Sequence, residues 1–238
     1  MPQKKSDWKV LSSVCRRAVS HSLRERCVAI AVRRRLWKPR RMGGFVWQHA
    51  AAVTSLAFVV AGLAVLAGRR REAPTGTYGL LVVAVGVGSL VQHGPDPPWQ
   101  GYAHDIPIAT LLAYIAVDAA SDRFGRRLSP GWLLVVPLLM IPTVAAGPTA
   151  STIVQALLAA VAVGLALERA RVRPQLRRTT IVAALFLASG ALLGAVDDSL
   201  LPGHALWHVL AAAGLWRLAP TIGRSTTLGP RHCGSWCG

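Results

Sequence analysis

Charge is scarce in this chain. Lys, Arg, Asp and Glu make up 16% of the 238 residues, and only ten of them are acidic against 27 Lys and Arg. With 53% apolar residues and a mean hydropathy of +0.42, that shortage excludes an ordinary soluble domain and points to several membrane crossings. Cysteine is scarce too. Cys15 and Cys27 lie near the start, Cys233 and Cys237 near the end, and none falls in an apolar run. The terminal Cys-x-x-x-Cys has only His232 nearby as a further ligand, so a tail is the better reading than a metal or disulfide site. The lack of acids leaves a net charge of +17. Such a charge can mark a nucleic-acid partner, but here the basic residues flank hydrophobic runs, which is how membrane proteins use them. No nucleic-acid partner is expected.

Residues 1–41 carry 13 Lys and Arg against two acids and contain no run long enough to cross a bilayer. The apolar patch Cys27 to Val32 is too short for the core of a signal peptide. This stretch reads either as a basic arm, solvated or at the membrane surface, or as sequence ahead of a true start at Met42. Seven apolar segments follow, near 44–68, 77–93, 105–120, 131–147, 150–167, 179–196 and 203–219. A span needs about 20 residues, so the third and seventh are short or extend into their flanking loops. The expected fold is therefore an all-α integral membrane protein, a seven-transmembrane-helix bundle over 42–220, with a C-terminal tail at 221–238. Prolines and glycines inside the segments (Pro107, Pro137, Pro142, Gly190, Gly194) are tolerated in membrane helices. Small residues such as Gly86-Val87-Gly88 let helices pack closely.

The connections alternate in charge. Those at 69–76, 121–130 and 168–178 hold three, three and five Arg, whereas 94–104, the region around 148 and 197–203 hold none. The positive-inside rule puts the first set in the cytoplasm. The first span then starts outside, and the C-terminus, with Arg217 and Arg224, lies inside. Residues 1–41 would have to be exported against the same rule, which favours a start at Met42. Abundant Arg and Ala suggest a GC-rich bacterial genome and hence a plasma membrane.

This topology brings the second span's end and the starts of the third and seventh spans to one depth near the outer face. His93, Asp105, His204 and His208 all lie there, and Ser89 sits one turn below His93 on the same helix face. His204 and His208, four apart, also share a face. Three imidazoles with one open position form the ligand set of a catalytic zinc, at which a water becomes acidic near pH 7. Asp105 can serve as general base and Ser89 can hold the water or a developing oxyanion. Each has a plainer reading: a wet interfacial histidine, a serine bonded to its own i−4 carbonyl, an aspartate at a helix N-terminus. Ionisable residues within spans are, however, usually functional. His104 is an alternative ligand, and His49 lies near the outer start of span one. Asp118 is about 20 Å from Asp105 along a helix and belongs to the cytoplasmic end. Asp197-Asp198 reads as a solvated cap, and Trp132, Trp207 and Trp216 as interface or packing residues.

Ser-x-x-x-His ending a second span (Ser89, His93), Asp opening a third (Asp105) and His-x-x-x-His in a seventh (His204, His208) resemble the CREST superfamily of membrane hydrolases. That group includes alkaline ceramidases, progestin and adipoQ receptors, and hemolysin III proteins. The resemblance covers roughly residues 42–220 and is carried by those five residues. It implies zinc on the three histidines, with Ser89 and Asp105 beside the water; the orientation derived from the connections is like that of the alkaline ceramidases and opposite to that of the receptor branch. The expected function is zinc-dependent hydrolysis of an amide, in a membrane lipid. Two alternatives stand beside it. One is a non-enzymatic receptor or hemolysin III-type protein with a structural zinc; the other is a transporter using His and Asp as a proton relay, with no metal.

Overall fold

The computed structural model describes residues 42–68, 73–95, 97–124, 131–195 and 202–224. The basic arm at 1–41, Asp197-Asp198, and Cys233 and Cys237 lie outside the described residues. The described chain is all helical, without a strand. Its helices are α1 (Met42–Ala67), α2 (Ala73–His93), α3 (Gln100–Phe124), α4 (Trp132–Ala145), α5 (Pro148–Val172), α6 (Pro174–Gly194) and α7 (Gly203–Leu218). A 3₁₀ turn, Ala219–Thr221, follows α7.

Five of the helices (α1, α2, α3, α5 and α6) are long and apolar enough to cross a membrane. The fourth and seventh are shorter, at 14 and 16 residues. The third takes the longer of the two forms expected for it: it extends into both flanking connections and is 25 residues long. Hydropathy marks where an apolar run begins, whereas a helix begins where backbone hydrogen bonding can: α3 starts at Gln100, just past Pro95, Pro97 and Pro98. The basic stretch 168–178 is likewise not a loop. Arg169 and Arg171 close α5, Arg177 and Arg178 sit in α6, and the break between the helices is Arg173. Arginine is a good helix former, so the helix outlasts the apolar run; Pro174 then forces its predecessor out of the α region.

The faces of these helices are arranged inside out. Large apolar side chains such as Leu134, Leu138, Leu157 and Leu192 are more than half exposed, a surface suited to lipid rather than water. The core lies between α1, α2, α3 and α7 and gathers Phe58, Tyr78, Val82, Leu111, Ile115 and Leu215. Tyr78 is fully buried, and its hydroxyl donates to the Leu215 carbonyl at 2.7 Å, tying α2 to α7.

Small residues set the helix spacing. A Cβ at Gly62 would stand 2.6 to 2.8 Å from Val83 and the Gly79 carbonyl, so α1 and α2 touch backbone to backbone. At Gly88 a Cβ would overlap the Ala103 carbonyl oxygen. That carbonyl would normally accept from the N–H four residues on, but Pro107 has none. The glycine of α2, one residue before Ser89, thus lies against the α3 carbonyl that Pro107 leaves without its helical donor. Gly147, with φ at +115°, turns the chain between α4 and α5, and Pro148 starts the next helix.

Candidate metal centre

Three imidazoles from two helix ends converge. His93 is the last residue of α2, while His204 and His208 occupy the first two turns of α7. One ligand nitrogen from each lies within 4.8 Å of the others, and the Nε2 atoms of His93 and His204 are 3.1 Å apart. Ligands at tetrahedral zinc, about 2.0–2.1 Å from the metal, stand roughly 3.3 Å from one another; the His93–His204 pair has that spacing, and the widest separation in the group must close for all three to share one ion. The ring centroids of His93, His204 and His208 are 4.7 to 5.1 Å apart.

His208 is held most firmly. It is 2% exposed, with the Phe58 ring edge-on at 5.7 Å. Its Nδ1 lies 3.0 Å from the Ala51 carbonyl and 3.3 Å from the hydroxyls of Thr54 and Ser55. A carbonyl only accepts, and both hydroxyls donate back to carbonyls of α1. Nδ1 therefore carries the proton and donates to Ala51, leaving the Nε2 lone pair for a ligand. Fixing the tautomer through the far nitrogen is how metal-binding histidines are oriented.

Ser89 is buried at 1% exposure, one turn from His93 on α2, as the spacing predicts. Asp105 is placed differently from the expectation that it acts directly on the water. Oδ1 accepts from His104 Nδ1 at 2.6 Å and Oδ2 from Ser151 at 2.5 Å, while Gln155 donates to Ser151 at 3.0 Å. His104 in turn lies edge-on to His93, with centroids 6.2 Å apart. Asp105 thus adjoins the trio through His104, and His104 is a neighbour of the three-histidine group rather than one of its members.

Beside Asp105, a cavity of about 410 Å³ is bounded by Gln92, Gln100, Tyr102, Val144 and Pro148. The side-chain oxygens of Gln92 and Gln100 are buried without a hydrogen-bond partner among the described residues, so the cavity edge offers acceptors to a ligand that carries donors.

The remaining candidates lie elsewhere. His49 is exposed on α1. Asp118 is at the far end of α3, where Arg169 donates to it at 2.7 Å and the Gly223 N–H at 3.0 Å. Trp207 packs on Gly190 and Gly194, and Trp216 is half exposed. Thr54, Ser55, Gln92, Gln100, Ser151 and Gln155 had not been singled out from the sequence. Ser151 and Gln155 carried a usable signal: they are four apart at the start of the fifth segment, at the depth of Asp105. No family model matches this chain, and no curated protein does.

Proposed function

We propose that the chain is an integral-membrane zinc hydrolase that cleaves an amide, in a lipid, with the layout of the CREST superfamily. The observation that carries the reading is the convergence of His93, His204 and His208, with the His208 tautomer fixed by Ala51. Zinc held there would supply an acidic water and a Lewis acid for the substrate carbonyl. His104, its Nδ1 proton held by Asp105, keeps Nε2 to take and return a proton, and the carboxylate stabilises the charge that results. Ser151 and Gln155 fix Asp105 in turn. Ser89 steadies the oxyanion. The charge pattern of the connections sets this end of a seven-span bundle outside, with the C-terminus in the cytoplasm of a bacterial cell. A lipid then enters laterally, its polar group beside Gln92 and Gln100.

The reaction is tested with N-acyl lipid amides and protein in detergent, following release of fatty acid. Asp105→Asn is expected to keep its metal and to lower turnover about 100-fold or more, because the amide no longer orients His104 or stabilises its charge as the proton moves. Unchanged turnover would contradict the role of Asp105. No turnover by wild type on any amide, with metal bound, would favour the second reading, a receptor-like or hemolysin III-like protein with a structural metal. One observation favours that reading: both Asp105 oxygens are already engaged, pinning α3 to α5.

A further inference from the structure

At the opposite end of the bundle from the histidines, a second cavity of about 400 Å³ opens between α1, α2 and α7. Its wall is mixed in character. Ala64, Val65 and Trp216 give an apolar side, and Thr75, Arg217 and Arg224 bring polar groups to it. The segment carrying Arg224 is clamped from two other helices. The Gly223 N–H donates to Asp118 of α3, and Arg173, between α5 and α6, donates to the Arg224 carbonyl. Gly223, at φ +74°, makes the turn that permits this. Arg224 is thus built into the wall rather than trailing from a helix end. Its Nε is nonetheless buried with no hydrogen-bond partner among the described residues. A buried guanidinium N–H without a partner is unfavourable until an acceptor reaches it.

We propose that this cavity binds the phosphate of an anionic phospholipid. Guanidinium groups match phosphate oxygens through paired N–H donors, and basic pockets between membrane helices at the cytoplasmic side take anionic head groups. The apolar side, with half-exposed Trp216, suits the start of the acyl chains and selects an amphiphile over a free ion. The arginine-rich stretch 168–178 lies at this same end, where Arg169 meets Asp118 and Arg173 meets the Arg224 carbonyl. The site rests on the membrane reading of the fold and is independent of the hydrolase reading.

Native mass spectrometry of the full chain in non-ionic detergent tests this, with phosphatidylglycerol and phosphatidylcholine of identical chains, and inorganic phosphate as a third arm. One phosphatidylglycerol per chain is expected to be retained, with a preference over phosphatidylcholine on the order of tenfold or more, as two nearby arginines provide. Arg217→Gln/Arg224→Gln should abolish the preference. Arg177→Gln/Arg178→Gln, which removes two exposed arginines at the same end, should leave it intact. Arg224→Lys keeps the charge and loses the planar fork, so it should weaken the preference several-fold even if the double variant does not fold. Equal retention of both lipids, or equal loss in the Arg177/Arg178 control, would overturn the site. Inorganic phosphate displacing the lipid at equal concentration would overturn the lipid assignment in favour of a free anion.

Discussion

His208 shows how far a single residue can be read from its neighbours. Its far nitrogen faces a carbonyl of another helix, so the near nitrogen is left as a lone pair in a group of three. His104 differs: its Nδ1 is bound to Asp105, and it stands beside the trio. The two residues should therefore behave differently on substitution. His208→Ala is expected to abolish metal binding, whereas His104→Ala should keep the metal and lower turnover. Metal-to-protein ratios on the two purified variants decide this, and loss of metal in His104→Ala would assign His104 to the ligand set. The trio was legible in the sequence because four-residue spacing fixes a shared helix face and the alternation of connections fixes depth. Ser151, Gln155, Thr54 and Ser55 were not, because depth says nothing about which helices are neighbours around the bundle. The depth of Asp105 beside the histidines was legible, but its partners were not, for the same reason.

At the scale of the element, the site depends on how closely α2 and α3 approach. Gly88 lies against the Ala103 carbonyl that Pro107 leaves without its helical donor. The contact sits between Ser89 and His93 on one helix and His104 and Asp105 on the other. Gly88→Val would force the helices apart. Overpacking of this kind costs typically about 1–3 kcal/mol. The expected result is a lower melting temperature together with weaker metal retention, since α2 carries His93. A Gly88→Val protein with unchanged melting and full metal would contradict the close approach. Helix existence was legible from the apolar runs, and helix length was not. Apolar segments end at the first arginines, but α5 continues through Arg169 and Arg171, because hydropathy and backbone hydrogen bonding stop at different residues.

For the whole molecule, the two ends of the bundle have opposite chemistry. The histidine end gathers acceptors and imidazoles; the other gathers arginines. Between α3 and α5 at the arginine end, Arg169 and Asp118 form an ion pair in which both side chains are largely buried. Removing one partner of such a pair costs about 3–5 kcal/mol, because the other charge is left buried. Arg169→Ala should therefore destabilise the protein more than Arg169→Met/Asp118→Leu, which removes both charges. Thermal melts of the two variants test this; equal destabilisation would mean that the pair does not hold the bundle. The exposed leucines along α4, α5 and α6 fit the same picture, with lipid as the outer solvent.

Whether His93, His204 and His208 hold a metal is decided by metal content. Inductively coupled plasma mass spectrometry would be run on detergent-purified wild type, prepared without chelators, beside His204→Ala/His208→Ala. About one zinc per chain is expected in the wild type, as a three-histidine site holds, and none in the double variant. A wild type free of metal, or a double variant that keeps it, would mean that these histidines do not form a metal site.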